Sequence, residues 1–485
     1  MLVPRTLSQQ QFKRSPLHAR ALPPLEKPPQ PEHLPLPPTP PVSVDPVISK
    51  HFHVSTHLVP AAYPRLTPYV PAVPLPTFSK DKAQYKASVE KTLDGIMGWR
   101  MKQWSGELDH MPPNRNLLWN CIKRFVRKES SRGSGSPVTL FVAHSNGFPK
   151  EMWEPALAHL IAENARSANP VNIAEIWLWE SINHGDSALV NDYNSMGGLY
   201  DWADNTRDML NFLLSYLPND PSVKKLPTHL PRLPTKLAAS RQYFGFQSRA
   251  LASIGHSFGG CSSLRAALEC PQLFSSMVLV DPIISPWRKG TELLPERPVR
   301  MARGAIKRRS HWASKEEALR LLQQSPFFGV WDPAALKSYV DHGMCEDPQG
   351  GVRLKTSGTL EGIVFSEALA SCEAWHLAED LDPSIELRWI QPEFPMIECV
   401  STRRVPAGAD ERVFVSSDIP KDHMVWLRPE NSSNVIIPGS SHLIPHEKPR
   451  ELAHDLLGFY SRKYARVRRP VAVRQDAPMP SLYAN

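Results

Sequence analysis

Ser257 lies within Leu-Ala-Ser-Ile-Gly-His-Ser-Phe-Gly-Gly-Cys-Ser-Ser-Leu, residues 251–264, where an apolar run meets Gly255-x-Ser257-x-Gly259 and then a run of small residues. A strand that turns sharply into a helix needs glycine where side chains would collide, and it lifts the serine hydroxyl clear of the sheet. This is the pattern of a nucleophile elbow, and the chemistry it serves is acyl transfer. A bare G-x-S-x-G arises by chance about 0.1 times in a chain of this size, so its weight comes from context. The preceding residues are strand-like, the segment from Cys261 to Glu269 can be helical, and Ser275 to Val280 reads as the next parallel strand.

A serine hydroxyl becomes nucleophilic when a histidine takes its proton, and that histidine needs a carboxylate to orient it. Val435-Ile-Ile-Pro-Gly-Ser-Ser-His442 offers a strand followed by a short loop that carries a histidine, which makes His442 the expected base. His446, beside Glu447, is expected at the surface. The acid has three candidates. Asp281 ends the strand after the elbow helix and is favoured; Glu393 follows the next sheet strand; a later residue such as Asp418 is the third. The oxyanion of a tetrahedral intermediate is best held by preorganised N–H groups. One is expected from the amide of Phe258 and the second from the His144-Ser-Asn-Gly-Phe148 loop, at Phe148 or alternatively Asn146. His144 and His256 read as neighbours of the site. The set requires no metal and no cofactor.

Elements that could position these residues alternate along the chain. Strands are expected at 47–59, 117–126, 137–143, 173–179, 251–256, 275–280, 384–390 and 434–437, and helices at 151–163, 199–217 and 446–460. On the first strand His51, His53 and His57 share a face, which reads as an exposed polar face in preference to a metal site. Strands alternating with helices, and a reactive serine at a strand end, indicate an α/β protein with a mainly parallel sheet. Residues 285–380 read as mainly helical, with candidates at 315–324, 333–342 and 360–377 and no strand repeat, and are expected to form a cap over the strand ends. The expected organisation is a disordered Pro-rich tail over 1–45, a core over 46–284 with insertions at about 64–112 and 218–247, the cap, a second core segment over 381–461, and a basic tail over 462–485.

Composition narrows the function classes. Of 50 prolines, 19 fall in the first 80 residues, where few apolar runs exist. The net charge of +8 resides in the tails, since residues 1–50 hold six Lys/Arg against three Asp/Glu and residues 462–485 hold six against one. The neutral middle argues against a large nucleic-acid-binding face. Six cysteines without regular spacing fit a reducing compartment. No apolar stretch has the length of a membrane span, and no secretory signal is evident. Arg5, Lys13, Arg14 and Arg20, with no acidic residue among the first 25, have some transit-peptide character. Oligomeric state leaves no trace in the sequence.

Gly-His-Ser-Phe-Gly-Gly, Ala-His-Ser-Asn-Gly-Phe-Pro, Asn-His-Gly-Asp-Ser and Ser-His-Leu-Ile-Pro-His-Glu-Lys-Pro, in this order, resemble the α/β-hydrolase superfamily. More narrowly, they resemble fungal hydrolases of the AK-toxin biosynthesis type and a yeast peroxisomal lipase. The resemblance implies an α/β-hydrolase fold with a helical cap and a serine hydrolase acting on esters or related acyl compounds of small or lipid-like molecules, often in peroxisomes. The final residues, Leu482-Tyr-Ala-Asn485, depart from a Ser-Lys-Leu import signal, which leaves the cytoplasm or another organelle open. Basic residues between 288 and 309 are expected on a solvated helix flank, with Arg300 and Arg303 as candidate contacts for an anionic acyl substrate. The competing class is an α/β-hydrolase-fold protein that binds a small molecule or a protein without catalysis.

Overall fold

Along residues 138–143 the side chains alternate between two apolar surroundings: Val138, Leu140 and Val142 join one buried cluster, Phe141 and Ala143 another. That is the period of a strand covered on both faces. The division repeats at Ala252 and Ile254 against Leu251, and at Val278 and Val280 against Met277 and Leu279. The computed structural model describes residues 19–29, 45–77, 79–128, 136–285, 296–394 and 424–465.

The strands, in chain order, are β1 (Phe52–Pro60), β2 (Trp119–Arg127), β3 (Val138–Ala143), β4 (Ile173–Trp179), β5 (Ala250–His256), β6 (Ser276–Val280), β7 (His311–Trp312), β8 (Met344–Glu346), β9 (Val352–Leu354), β10 (Glu386–Pro392) and β11 (Ser432–Ile437). Eight of them form one sheet in the order β1-β2-β4-β3-β5-β6-β10-β11. Only β2 breaks the parallel run, pairing antiparallel with both β1 and β4. The helices are α1 (Pro46–His51), α2 (Lys82–Trp104), α3 (Glu154–Arg166), α4 (Gly185–Val190), α5 (Tyr193–Met196), α6 (Trp202–Ser215), α7 (Thr235–Phe244), α8 (Phe258–Glu269), α9 (Glu296–Lys307), α10 (Lys315–Gln323), α11 (Pro333–Gly343), α12 (Gly358–Phe365), α13 (Leu369–Leu377), α14 (Ile444–Glu447) and α15 (Pro449–Tyr464). Leu157 and Leu160 of α3 and Leu456 and Phe459 of α15 cover one face of the sheet. Met209 and Phe212 of α6 and Leu264 of α8 cover the other.

The segment between β6 and β10 is less uniform than its composition implies. Besides α9 to α13 it holds a small antiparallel sheet, β7-β9-β8, whose strands of two and three residues are too short to show alternation. The single helix expected over 360–377 is two helices. The Glu367 carboxylate accepts from the amides of Leu369 and Ala370 and starts α13 afresh. From the first insertion, α2 buries Leu93 and Ile96 in the cluster that contains Ala302 and Ile306 of α9, so it supports this layer.

Two other expectations need correction. His57 is buried, within 2.7 Å of Ser55 Oγ and 2.8 Å of the Pro227 carbonyl, so the histidine face of β1 is covered there. Part of the N-terminal segment is bonded to the body: Arg20 Nε donates to Glu373 Oε1 at 2.7 Å and Nη1 to Asp201 Oδ2 at 2.5 Å, while Glu26 N donates to the Tyr63 carbonyl at 2.9 Å. Both acidic partners of Arg20 are buried, and an unpaired carboxylate there would be costly.

Candidate active site

Ser257 joins β5 to α8 at φ 56° and ψ −119°, a conformation that L-residues rarely adopt. The strain is held by hydrogen bonds from Ser257 N to the Val280 carbonyl at 3.1 Å and from Ile283 N to the Ser257 carbonyl at 3.2 Å. Glycine is required alongside, because a Cβ on Gly255 would lie 2.6 Å from Gly260 Cα and one on Gly259 would fall on the His144 carbonyl.

His442 lies on the loop between β11 and α14. Its Nε2 is 2.9 Å from Ser257 Oγ, and its Nδ1 is 2.6 Å from Asp281 Oδ2. A carboxylate can only accept, so Nδ1 carries the proton and Nε2 faces the hydroxyl as an acceptor. All three side chains are at least four-fifths shielded from solvent. Strand order explains why Asp281, and not Glu393, meets the imidazole. His256 pairs with Val280, so Asp281 is one strand away from Ser257, whereas Glu393 lies beyond β10, a strand further. Glu393 accepts from Gly439 N at 2.6 Å, at the foot of the loop that carries His442, and does not contact the imidazole. Asp418 lies outside the described residues.

Phe258 is the first residue of α8, where helical geometry leaves an amide without an intrahelical acceptor. The facing loop runs from His144 to Pro149. Gly147 adopts φ +85° and donates its amide to His184 Nε2 at 2.9 Å, and His184 Nδ1 lies 2.8 Å from Asn183 Oδ1. Among the described residues the Phe148 amide makes only a long turn contact, 3.4 Å to the Ser145 carbonyl, and so keeps capacity for another acceptor. Asn146 Nδ2 donates to the Glu361 carbonyl at 3.3 Å, which ties it to the cap. Burial lowers the pKa of His144 to about 4 and, with the neighbouring His144, holds His184 well below the usual imidazole range. Both are therefore neutral at pH 7 and serve as acceptors, His144 Nε2 for Ser181 N at 3.1 Å.

A buried ionic network underlies the loop. Lys150 Nζ lies 3.1 Å from Glu180 Oε2 and 2.9 Å from Asp186 Oδ2, and Lys355 from the cap reaches Asp186 Oδ1 at 2.6 Å. Burial raises Glu180 to about 7. It disfavours the charged form of Asp186 too, but Lys150 and Lys355 outweigh it and hold that carboxyl below its ordinary range. Gly185 adopts φ +45°, and a Cβ there would fall on Glu180 Oε1.

One placement differs from expectation. His446 is buried, its ring 4.6 Å from Phe148 and 4.7 Å from Trp331, because the short turn of α14 directs it inward. Arg303, bound at the surface to Glu90 at 3.0 Å, and Arg300, exposed on the same helix, lie on the solvated flank expected of this run. Arg308, from the end of this run, pairs with Glu361, which lies beside Gly147 of the loop. Nothing in the spacing of residues 288–309 singles it out. Among the described residues, no three His, Cys, Asp or Glu side chains are grouped to hold a metal ion, and no helix is long and apolar enough to cross a membrane.

An imidazole between a carboxylate and a serine hydroxyl can take the hydroxyl proton and return it to a leaving group. The model of the alpha/beta hydrolase family matches residues 140–456, which contain all of these groups. The chain belongs to the α/β-hydrolase family. This hydrolase is 31% identical over 229 residues to an abhydrolase domain-containing protein of Alternaria alternata, across 42% of the chain and 80% of that relative. It is 25% identical over 217 residues to a type I acyl-CoA thioesterase of Penicillium roqueforti, across 44% of the chain and 41% of that protein. Its fold is similar to that of a peroxisomal α/β-hydrolase of Saccharomyces cerevisiae, with a TM-score of 0.55 at 18% identity over 89% of this chain and 93% of the other.

Proposed function

We propose that this α/β-hydrolase is a serine hydrolase that cleaves an ester or thioester of a small or lipid-like acyl compound through an acyl-enzyme on Ser257. His442 takes the Ser257 proton as Oγ attacks the carbonyl carbon, and the imidazolium passes it to the departing alkoxide or thiolate. A water then attacks the acyl-enzyme with His442 again as base, and the acid is released. Asp281 holds the imidazole tautomer. The amides of Phe258 and Phe148 receive the oxyanion in each half-reaction.

The observation that carries the reading is the continuous contact from Asp281 Oδ2 through His442 to Ser257 Oγ, at 2.6 and 2.9 Å, on a strained elbow. The name of the Penicillium relative supports including thioesters. The name of the yeast structure supports a peroxisomal setting, to be checked by co-localisation of the tagged chain with a peroxisomal marker.

The test uses a fluorophosphonate probe on the purified protein. Labelling is expected in the native chain and absent in Ser257→Ala. Folded native protein that stays unlabelled would replace this reading with that of a binding protein. A panel of p-nitrophenyl esters and acyl-CoA thioesters then identifies the leaving group.

A further inference from the structure

The loop proposed to hold the oxyanion has a buried carboxylate pressed against it. Glu361 lies in α12 and is buried. A Cβ built on Gly147 would be 2.7 Å from its carboxyl carbon and 2.8 and 3.0 Å from the two oxygens. Gly147 immediately precedes Phe148, so an unneutralised Glu361 would oppose negative charge developing on a substrate oxygen nearby, where low dielectric strengthens the repulsion.

Arg308 stands against that carboxylate. Its Nη1 lies 3.3 Å from Glu361 Oε1, and its Nη2 donates to Oε2. Burial disfavours the guanidinium charge, and Glu361 outweighs it, so the group is held above its ordinary range. Packing does not require the pair. The helices that lead into it already meet through Ala302 and Ile306 of α9 and Leu360 and Ile363 of α12, and a buried ion pair is often no more stabilising than apolar residues of similar volume. Its position beside Gly147 is what distinguishes it. Asn146 Nδ2, bonded to the Glu361 carbonyl, fastens the same stretch of the cap to the loop.

We propose that Arg308 is a positioning residue for hydrolysis: by pairing with Glu361 it neutralises this carboxylate and holds it in place, so that the cap covers Gly147 without opposing the oxyanion. The inference rests on the serine-hydrolase reading above.

The test compares the removal of Arg308 in two backgrounds, with p-nitrophenyl butyrate as substrate and the rate of fluorophosphonate labelling at Ser257 as a second readout. Arg308→Gln is expected to lower kcat and the labelling rate by about 10- to 100-fold with KM changed less than about threefold. Arg308→Lys, which keeps the charge, is expected to retain most of the rate. In the Glu361→Gln background, adding Arg308→Gln is expected to cost less than about threefold, since no charge remains to be neutralised. That comparison also stands if Arg308→Gln alone does not fold. Equal losses in both backgrounds, or a large loss on adding Arg308→Gln to Glu361→Gln, would overturn the proposal while leaving the hydrolase reading intact. Native protein that is not labelled at Ser257 would overturn both.

Discussion

His256 Nε2 lies 2.8 Å from the backbone carbonyl oxygen of His442, so the residue before the elbow serine holds the loop that presents the imidazole to it. A carbonyl only accepts, which places the proton of His256 on Nε2. Burial and the adjacent histidines keep the ring neutral. His256→Leu removes the donor and is expected to lower kcat about tenfold with little change in KM, because the loss is one of alignment. His256→Gln, whose amide can donate, is expected to recover part of the rate. Steady-state kinetics on a p-nitrophenyl ester decide the matter, and identical rates in the two variants would remove His442 positioning as the role of His256.

The choice between carboxylates gives a second test. Asp281→Asn replaces a charged acceptor with an amide that can donate to Nδ1, which favours the wrong imidazole tautomer and leaves the imidazolium without its counter-charge, and it is expected to lower kcat by about four orders of magnitude. Glu393→Gln, whose parent accepts from Gly439 at the foot of the loop, is expected to stay within about fivefold of the native rate. The opposite ranking in kcat would displace Asp281.

Two glycines should respond in opposite directions to the same change. Gly185→Ala places a methyl group on Glu180 Oε1 at a positive φ, so it disturbs the carboxylate that receives the amides of Lys150 and Ser187. A loss of more than about 2 kcal/mol is expected, from overpacking and strain together. Gly98 is exposed within α2 with nothing within 4 Å of a Cβ, so Gly98→Ala is expected to stabilise by about 0.5–1 kcal/mol through helix propensity. Thermal melts of the two variants give the comparison directly, and a Gly185→Ala protein melting with the native one would show that the Glu180 site yields freely.

What the sequence discloses is local. Ser257 and His442 announce themselves because each sits in a short motif at a strand end, and the short apolar runs around Leu140, Ile254 and Val278 mark the sheet. The acid is not local, since preferring Asp281 to Glu393 depends on which strand lies beside β5, a matter of sheet order. The ion pairs of Arg308 with Glu361 and of Arg20 with Glu373 join residues 53 and 353 positions apart, and no periodicity connects their partners. His446 misleads because Glu447 beside it reads as a surface residue, whereas α14 is a single turn that buries the ring between Phe148 and Trp331. The small sheet of the cap escapes for the opposite reason: its strands are too short for any pattern.

His446 also provides a stability test with a defined sign. Burial lowers its pKa to about 3, opposed only in part by the nearby Leu443 backbone, and neither ring nitrogen makes a well-formed hydrogen bond among the described residues. An unfolded histidine titrates near 6.5, so between about pH 6.5 and pH 3 the unfolded chain binds a proton that the folded chain refuses. The group therefore costs no stability by this route above pH 6.5, and the cost grows by about 1.4 kcal/mol per pH unit as pH falls through that window. His446→Phe replaces the ring with one that suits the Phe148 and Trp331 surroundings and does not titrate. The variant is expected to match or slightly exceed native stability at pH 8, where only the unpaired ring nitrogens are at stake, and to gain on the native protein steadily from pH 6.5 to pH 5. Denaturant unfolding at pH 8, 6.5, 5.75 and 5 measures the difference. A difference that stays constant across the series would mean that His446 takes up its proton without unfolding, and the ring would then have to be accessible to solvent through motion of the α10 to α11 layer that covers it.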